Sequence, residues 1–230
     1  MREIVLDTET TGFEPSEGHR LVEIGAVELF NHVATGRSFH EYLDPQRDMP
    51  AEAFAVHGLS AEFLRGKPLF AAVAPKLLDF LGDAPLVIHN AEFDMRFLNA
   101  ELAACGLPVL PMTRAVDTLA IARRRFPGAP ANLDALCRRF GVDNSGRERH
   151  GALLDSELLA EVYLELIGGR QPGFGLVTVS PTGRGPVEGA RGWTPPPRPR
   201  PLKPRLTEAE AAAHDAFTAS LGDGALWTRD

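Results

Sequence analysis

The chain has 230 residues, 44% of them hydrophobic, and a formal net charge of -7. That is enough apolar material for one full core with some length left over. The acid excess argues against binding a polyanion through overall electrostatics, so a nucleic-acid partner needs local cations or a companion subunit to offset the repulsion. No apolar run is long enough to span a bilayer. The N-terminus passes straight into an apolar strand and then acidic residues, without the pattern of a secretory leader, and a cytoplasmic protein with no membrane partner is expected. Cys105 and Cys137 lie far apart without ligand spacing and are expected to be reduced core thiols.

In chain order, Ile4, Val5 and Leu6 read as a buried central strand, followed by Asp7-Thr8-Glu9-Thr10-Thr11-Gly12 and a polar loop over residues 14–20. Residues 21–30 are rich in β-formers; a turn over residues 31–36 and a second strand over residues 37–43 complete a hairpin beside the first strand. Pro50 opens a short helical segment ending near His57 and Gly58, and Phe70, Val73, Leu77 and Leu81 recur at helical spacing before Gly82. Residues 86–88 form a second short buried strand. Asn90 is placed to cap a helix whose inner face carries Phe93, Phe97 and Ala100. Val116 and Asp117 mark a further strand end, Asn132 caps a helix with Leu133, Leu136 and Phe140, and residues 151–167 form a long amphipathic helix closed by Gly168 and Gly169. Strands first and strand–helix alternation afterwards predict an α/β fold, a mixed sheet flanked by helices.

Composition shifts after about Val179. Residues 180–206, crowded with Pro, Gly and Arg, are expected to be an extended cationic linker between a domain over residues 1–179 and a tail over residues 207–230. The tail opens with a capping box at Thr207 and Glu210 and carries a narrow apolar stripe, Ala213, Phe217 and Leu221, followed by Leu226 and Trp227. Too short to fold alone, this helix calls for a partner.

The chemistry begins at Asp7 and Glu9, which share one face of a strand while Thr8 points the other way. Two carboxylates at the end of a core strand are costly to desolvate unless a cation neutralises them, and hard oxygen ligands suit Mg²⁺ or Mn²⁺. Asp94 falls in the first turn of one helix and Asp155 in the first turns of the long one. Four carboxylates balance two divalent cations at the separation used in phosphodiester hydrolysis. His150, five residues before Asp155, cannot share its helix face and belongs on the preceding loop, where Gly151 gives freedom to aim it at the site; a mobile imidazole there fits a general base. Each of these residues alone has an ordinary structural reading, such as a dipole-favoured helix start for Asp94. Their occurrence together, each at a strand or helix end, is a much stronger signal.

The segments around Asp7 and Glu9, Asp94, and His150 and Asp155 resemble the histidine subclass of the DEDD exonucleases, and Tyr at the alternative spacing of the sister subclass is missing. Ile4 to Gly12, Val22 to Val27, Glu52 to Gly58 and Leu133 to Gly169 are similar to the proofreading epsilon subunits of bacterial DNA polymerase III, over about the first three-quarters of the chain. The resemblance implies a ribonuclease-H-like fold with a five-stranded sheet and a 3'→5' exonuclease acting on single-stranded or frayed 3' DNA ends near the nucleoid. It assigns Asp7, Glu9, Asp94 and Asp155 to two Mg²⁺ or Mn²⁺ ions, His150 to the general base, and Glu52 and His57 to the terminal nucleotide. Glu92 departs from the family pattern and adds negative charge without altering ligation. The resemblance also implies that residues 207–230 anchor the polymerase alpha subunit. Gln171, Phe174 and Leu176 in QPGFGL, residues 171–176, loosely resemble a sliding-clamp peptide, with a polar turn as the alternative. A free-standing exoribonuclease of the same fold has little need of the linker and tail. A non-catalytic scaffold has no need of the intact acidic set. His89 and Asn90 read as turn and cap, and Phe93 as core rather than a base-stacking surface.

Overall fold

A computed structural model describes residues 1–147, 149–169 and 207–221. The chain divides into two units, Met1–Leu176 and Val177–Asp230. The first is built on β1 (Arg2–Thr10), whose apolar run continues as extended chain through Asp7 and Glu9. It pairs antiparallel with β2 (Leu21–Phe30), and β2 pairs antiparallel with β3 (Val33–Tyr42). Next come α1 (Ala51–His57), α2 (Ala61–Leu64) and α3 (Phe70–Leu81), then β4 (Leu86–Ile88), α4 (Ala91–Ala104) and β5 (Ala115–Asp117). β4 runs parallel to both β1 and β5, completing a mixed five-stranded sheet in the order β3-β2-β1-β4-β5. Three helices follow: α5 (Thr118–Arg125), α6 (Leu133–Phe140) and α7 (Ala152–Leu166).

The period of two along β1 sorts the core onto the two faces of the sheet. Ile4 and Leu6 pack with Phe70, Leu77, Phe97 and Leu98 of α3 and α4. Val5 packs on the other face with Leu136 of α6 and Leu158, Leu159 and Val162 of α7. Because β1 and β4 are parallel, their C-terminal ends share one edge of the sheet, and the turn after β4 delivers the start of α4 to that edge. α7 comes to it from the opposite face. Gly25 permits this: it is the cross-strand partner of Asp7, and a Cβ there would meet the backbone of Ala152 and Leu153 at 2.2 Å. The Ser156 hydroxyl then donates to the Gly25 carbonyl at 2.9 Å, fixing the first turns of α7 on β2.

Several expectations are corrected. The hairpin turns at Asn31 and His32, both with positive φ, so β3 begins at Val33; Gly36 lies inside β3, where the pairing register shifts, and makes an irregularity instead of the turn. A two-residue turn of this hand matches the twist of the flanking strands. Asn90 stands at the start of α4 in a left-handed conformation, but its side chain makes no cap bond; its backbone N–H donates to Asp117 Oδ1 at 3.1 Å instead. The buried stripe of α4 runs through Ala91, Met95, Phe97, Leu98 and Leu102, leaving Ala100 and Phe93 half-buried. Residues 15–17 of the expected loop form a 3-10 turn, and the short helices α2 and α5 escaped the sequence reading. Cys105 and Cys137 are free thiols.

In the second unit, α8 (Glu208–Ser220) begins with the expected reciprocal bonds between Thr207 and Glu210. Phe217 and Leu221 are exposed on it. The linker over residues 180–206, the QPGFGL segment, Leu226 and Trp227 lie outside the described residues. Among the described residues no helix is long and apolar enough to cross a membrane.

Candidate active site

Asp7, Glu9, Asp94 and Asp155 converge at the shared edge. Asp7 and Glu9 project from β1 toward α7, as their spacing requires. Thr8 points to the other face, where its hydroxyl donates to Asp94 Oδ1 at 2.7 Å and holds the first turn of α4 against the strand. Asp155 is 2% exposed in the first turn of α7, buried at the site and not on a solvated helix face. Ligand atoms of Glu9, His150 and Asp155 lie within 4.8 Å of one another.

The electrostatics match a site built for added positive charge. Burial pushes the Asp7 carboxyl well above its ordinary value, and the neighbouring charges of Asp94, Glu9 and Asp155 push it further. Burial likewise raises Glu9 to about 8 and Asp94 to about 7, the Thr8 hydrogen bond opposing the rise at Asp94. Burial also pushes Asp155 upward, but there hydrogen bonds from Arg147 and His150 overcome it and hold the group below the usual carboxylate range. Among the described residues, Arg147 is the one lysine or arginine paired with any of the four. A converging set of hard oxygen donors with too little internal positive charge fits divalent cations.

His150 sits on the loop before α7, as its spacing implies, with its side chain about half exposed at 48%. Its Nδ1 lies 3.3 Å from Asp155 Oδ2 and 2.7 Å from Arg147 Nη2. Gly151 is extended, with φ -153, so the aim of His150 needs no special glycine conformation. The loop is held instead by a bond from the His150 backbone N–H to the Val56 carbonyl at 3.3 Å and by Arg149 stacked over the Phe54 ring.

These contacts bring α1 beside the carboxylates. Glu52 and His57 of α1 line a cavity of about 350 Å³ together with Thr10, Gly12, Phe13 and Phe93. Phe93 therefore serves the cavity as well as packing against the core. His57 is buried, which lowers its pKa, and its Nδ1 accepts from the Leu59 backbone N–H at 3.0 Å. Its Nε2 is buried, and the Thr10 carbonyl facing the ring opposes the fall in pKa without forming a well-aligned hydrogen bond. His89 is structural, its Nδ1 2.9 Å from the Thr118 hydroxyl, and Glu92 is exposed on α4.

Arg147, Thr8 and Gly25 escaped the sequence reading. An arginine three residues before His150, a threonine on the far face of a strand and a glycine inside another strand carry no signal of their own; only tertiary contact gives them a role.

A family model described as "Exonuclease" matches residues 4–163. The DNA polymerase III subunit epsilon of Rickettsia felis is 57% identical over 183 residues, covering 78% of this chain and 80% of that protein. The protein of the same name from Escherichia coli strain K12 is 50% identical over 177 residues, covering 74% and 72%. Among solved structures, exonuclease X in complex with 5' overhanging duplex DNA superposes with a TM-score of 0.57 at 25% identity, covering 71% of this chain and 90% of that one. These likenesses, with the mixed five-stranded sheet, favour the proofreading reading over a free-standing exoribonuclease. The chain belongs to the metal-dependent exonuclease family and, within it, to the DNA polymerase III epsilon subunits, which are 3'→5' proofreading exonucleases.

Proposed function

We propose that Asp7, Glu9, Asp94 and Asp155 hold two Mg²⁺ or Mn²⁺ ions, that His150 is the general base, and that Glu52 and His57 contact the terminal nucleotide of a single-stranded or frayed 3' DNA end. One observation carries this reading: four carboxylates, three of them buried and Asp7 half-buried, meet at one sheet edge, and Asp7, Glu9 and Asp94 are raised by burial with little positive charge nearby, beside a cavity of about 350 Å³. When bound, the two ions supply Lewis acidity and charge stabilisation for in-line displacement at phosphorus. The cavity receives the last nucleoside, with Glu52 and His57 of α1 in its lining. His150 takes the proton from the attacking water at its ring nitrogen, the water oxygen bonds to phosphorus, and the 3'-oxygen of the preceding nucleotide departs, releasing a nucleoside monophosphate.

A mismatched terminus unpairs more cheaply than a matched one, so selectivity needs no reading of base edges. The domain over residues 1–179 works under a polymerase that holds the DNA, and the tail over residues 207–230, tethered by the linker, raises its effective concentration by docking the polymerase alpha subunit. The exposed Phe217 and Leu221 of α8 support that role. Residues 171–176 are assigned to the sliding clamp on sequence alone. Such an enzyme works in the bacterial cytoplasm, at the nucleoid.

The test compares degradation of matched and 3'-mismatched DNA primers and a short RNA by the same metal-loaded protein. Faster release from the mismatched DNA is expected, and preference for the RNA would overturn the substrate assignment. His150→Ala is expected to lower turnover by about 10²- to 10⁴-fold while Mn²⁺ binding persists; unchanged turnover would remove the base assignment.

A further inference from the structure

Arg147 is placed unlike an ordinary loop arginine. Such a side chain normally keeps its head in water, yet this one is 7% exposed. Its Nε donates to Asp155 Oδ1 at 2.5 Å and its Nη2 to Asp155 Oδ2 at 2.6 Å. Its Nη1 donates to Asp134 Oδ1 of α6 at 2.8 Å, and Asn144 Nδ2 reaches the same oxygen at 3.1 Å. The Nη2 group also faces His150 Nδ1 at 2.7 Å. One guanidinium thus ties the loop between α6 and α7 to both helices and touches both Asp155 and His150.

We propose that Arg147 is a positioning residue of the exonuclease site, a resident counter-cation that holds Asp155 and His150 in place and compensates the same carboxylate charge that a divalent ion compensates. The inference rests on the reading of Asp155 as a metal ligand and His150 as the base. Each carboxylate oxygen offers two lone-pair sites, and the fork occupies one on each oxygen, leaving acceptor capacity for a cation. Without a divalent ion, Arg147 is the internal cation paired with the cluster, and its removal leaves Asp155 buried and unpaired but for His150. With an ion present, part of that cost is already met, so the two stabilising effects are less than additive. The planar fork explains the choice of residue, because one ammonium cannot bond both oxygens of Asp155, Asp134 and His150 together.

The test uses the full chain and its Arg147→Gln and Arg147→Lys variants. Thermal unfolding is followed with and without Mn²⁺, Mn²⁺ binding by calorimetry, and kcat and KM on a 3'-mismatched primer well below the unfolding temperature. Arg147→Gln is expected to lower the Tm of the metal-free protein by at least about 5 °C, and that of the Mn²⁺-loaded protein by less than half as much. Mn²⁺ should bind this variant at least as tightly as the parent. Its kcat should fall about 10- to 100-fold with KM changed less than about twofold. Arg147→Lys should recover most of the metal-free Tm but not kcat. Equal Tm losses in both states, weaker Mn²⁺ binding, unchanged kcat in Arg147→Gln, or full kcat in Arg147→Lys would each overturn the proposal. A parent chain that neither binds Mn²⁺ nor digests the primer would defeat the reading of the site itself, a result separable from any behaviour of the variants.

Discussion

The two ends of β1 bury carboxylates on the same face of the sheet and treat them in opposite ways. At the N-terminal end Glu3 is 1% exposed; its Oε1 accepts from the Tyr163 hydroxyl at 2.7 Å, and its Oε2 faces His32 Nδ1 at 2.7 Å in an ion-pair contact outside hydrogen-bond geometry. Glu28 of β2, opposite Ile4 and so on the other face of the sheet, is paired with Arg2 at 2.5 Å and Arg37 at 3.1 Å, contacts that hold its carboxyl below the ordinary range. At the C-terminal end Asp7 and Glu9 are raised by burial and by the neighbouring carboxylates, and Arg147 opposes the rise of both. A buried carboxylate supplied with partners by its own chain is structural. One left short of them is poised to bind something from outside.

The contrast breaks most sharply inside the active site. Asp7→Ala and Asp155→Ala are both expected to lower metal-dependent nucleotide release by more than about 10³-fold. Their stabilities should diverge. Metal-free Asp7→Ala should unfold at an unchanged or higher temperature because repulsion is relieved. Asp155→Ala should lose up to about 3–5 kcal/mol, since it leaves the buried Arg147 guanidinium with Asp134 as its one carboxylate partner among the described residues. From the spacing alone both substitutions are expected to be neutral or stabilising; the Arg147 pair reverses that for Asp155. Equal stabilities in chemical denaturation would refute the distinction.

Gly25→Ala comes next. A Cβ there meets backbone of α7 at 2.2 Å, so the helix start must shift and carry Asp155 with it. A loss of about 10- to 100-fold in kcat is expected, together with about 1–3 kcal/mol of stability; wild-type turnover would show that the register of α7 is not critical. At the structural end, Tyr163→Phe should cost about 1–3 kcal/mol by leaving a Glu3 oxygen unsatisfied, while activity stays within about threefold. A large activity loss would mean that the two ends are not separable.

A further effect is a slope. Glu9 is raised from 4.5 to about 8 and Asp94 from 3.8 to about 7, so between those limits the folded protein binds more protons than the unfolded one. Their contribution is favourable at low pH and is lost as pH rises through that window. Asp155, held low, has the opposite sign: its contribution is present above the ordinary carboxylate range and is lost as pH falls below it. Metal-free protein should therefore lose stability from about pH 5 to 8 in urea titrations, and saturating Mg²⁺ should flatten the trend. An identical slope with and without metal would remove the four carboxylates as its source.

Much of the site was legible because its signals are local. Asp7 and Glu9 alternate on a strand, Asp94 and Asp155 open helices, and His150 falls five residues before Asp155, all consequences of backbone periodicity. The capping box at Thr207 and Glu210 and the caps at Asn132 and Gly58 were legible for the same reason. The hairpin turn was misplaced because Gly36 is the stronger turn former, whereas tertiary pairing put the left-handed residues at Asn31 and His32. Asn90 reads as a cap by composition, but a left-handed backbone and the Asp117 carboxylate displaced its side chain from that task.

By itself the sequence determined most of the elements, the four acids at strand and helix ends and the loop position of His150, since each follows from spacing along one segment. Only the tertiary structure decided which buried acids are already satisfied, that Thr8 tethers Asp94, that Gly25 admits α7 and that Arg147 stands between Asp155, Asp134 and His150. Those contacts join residues from 3 to 131 positions apart. Burial and charge compensation are properties of what surrounds a side chain, and a one-dimensional pattern does not carry them.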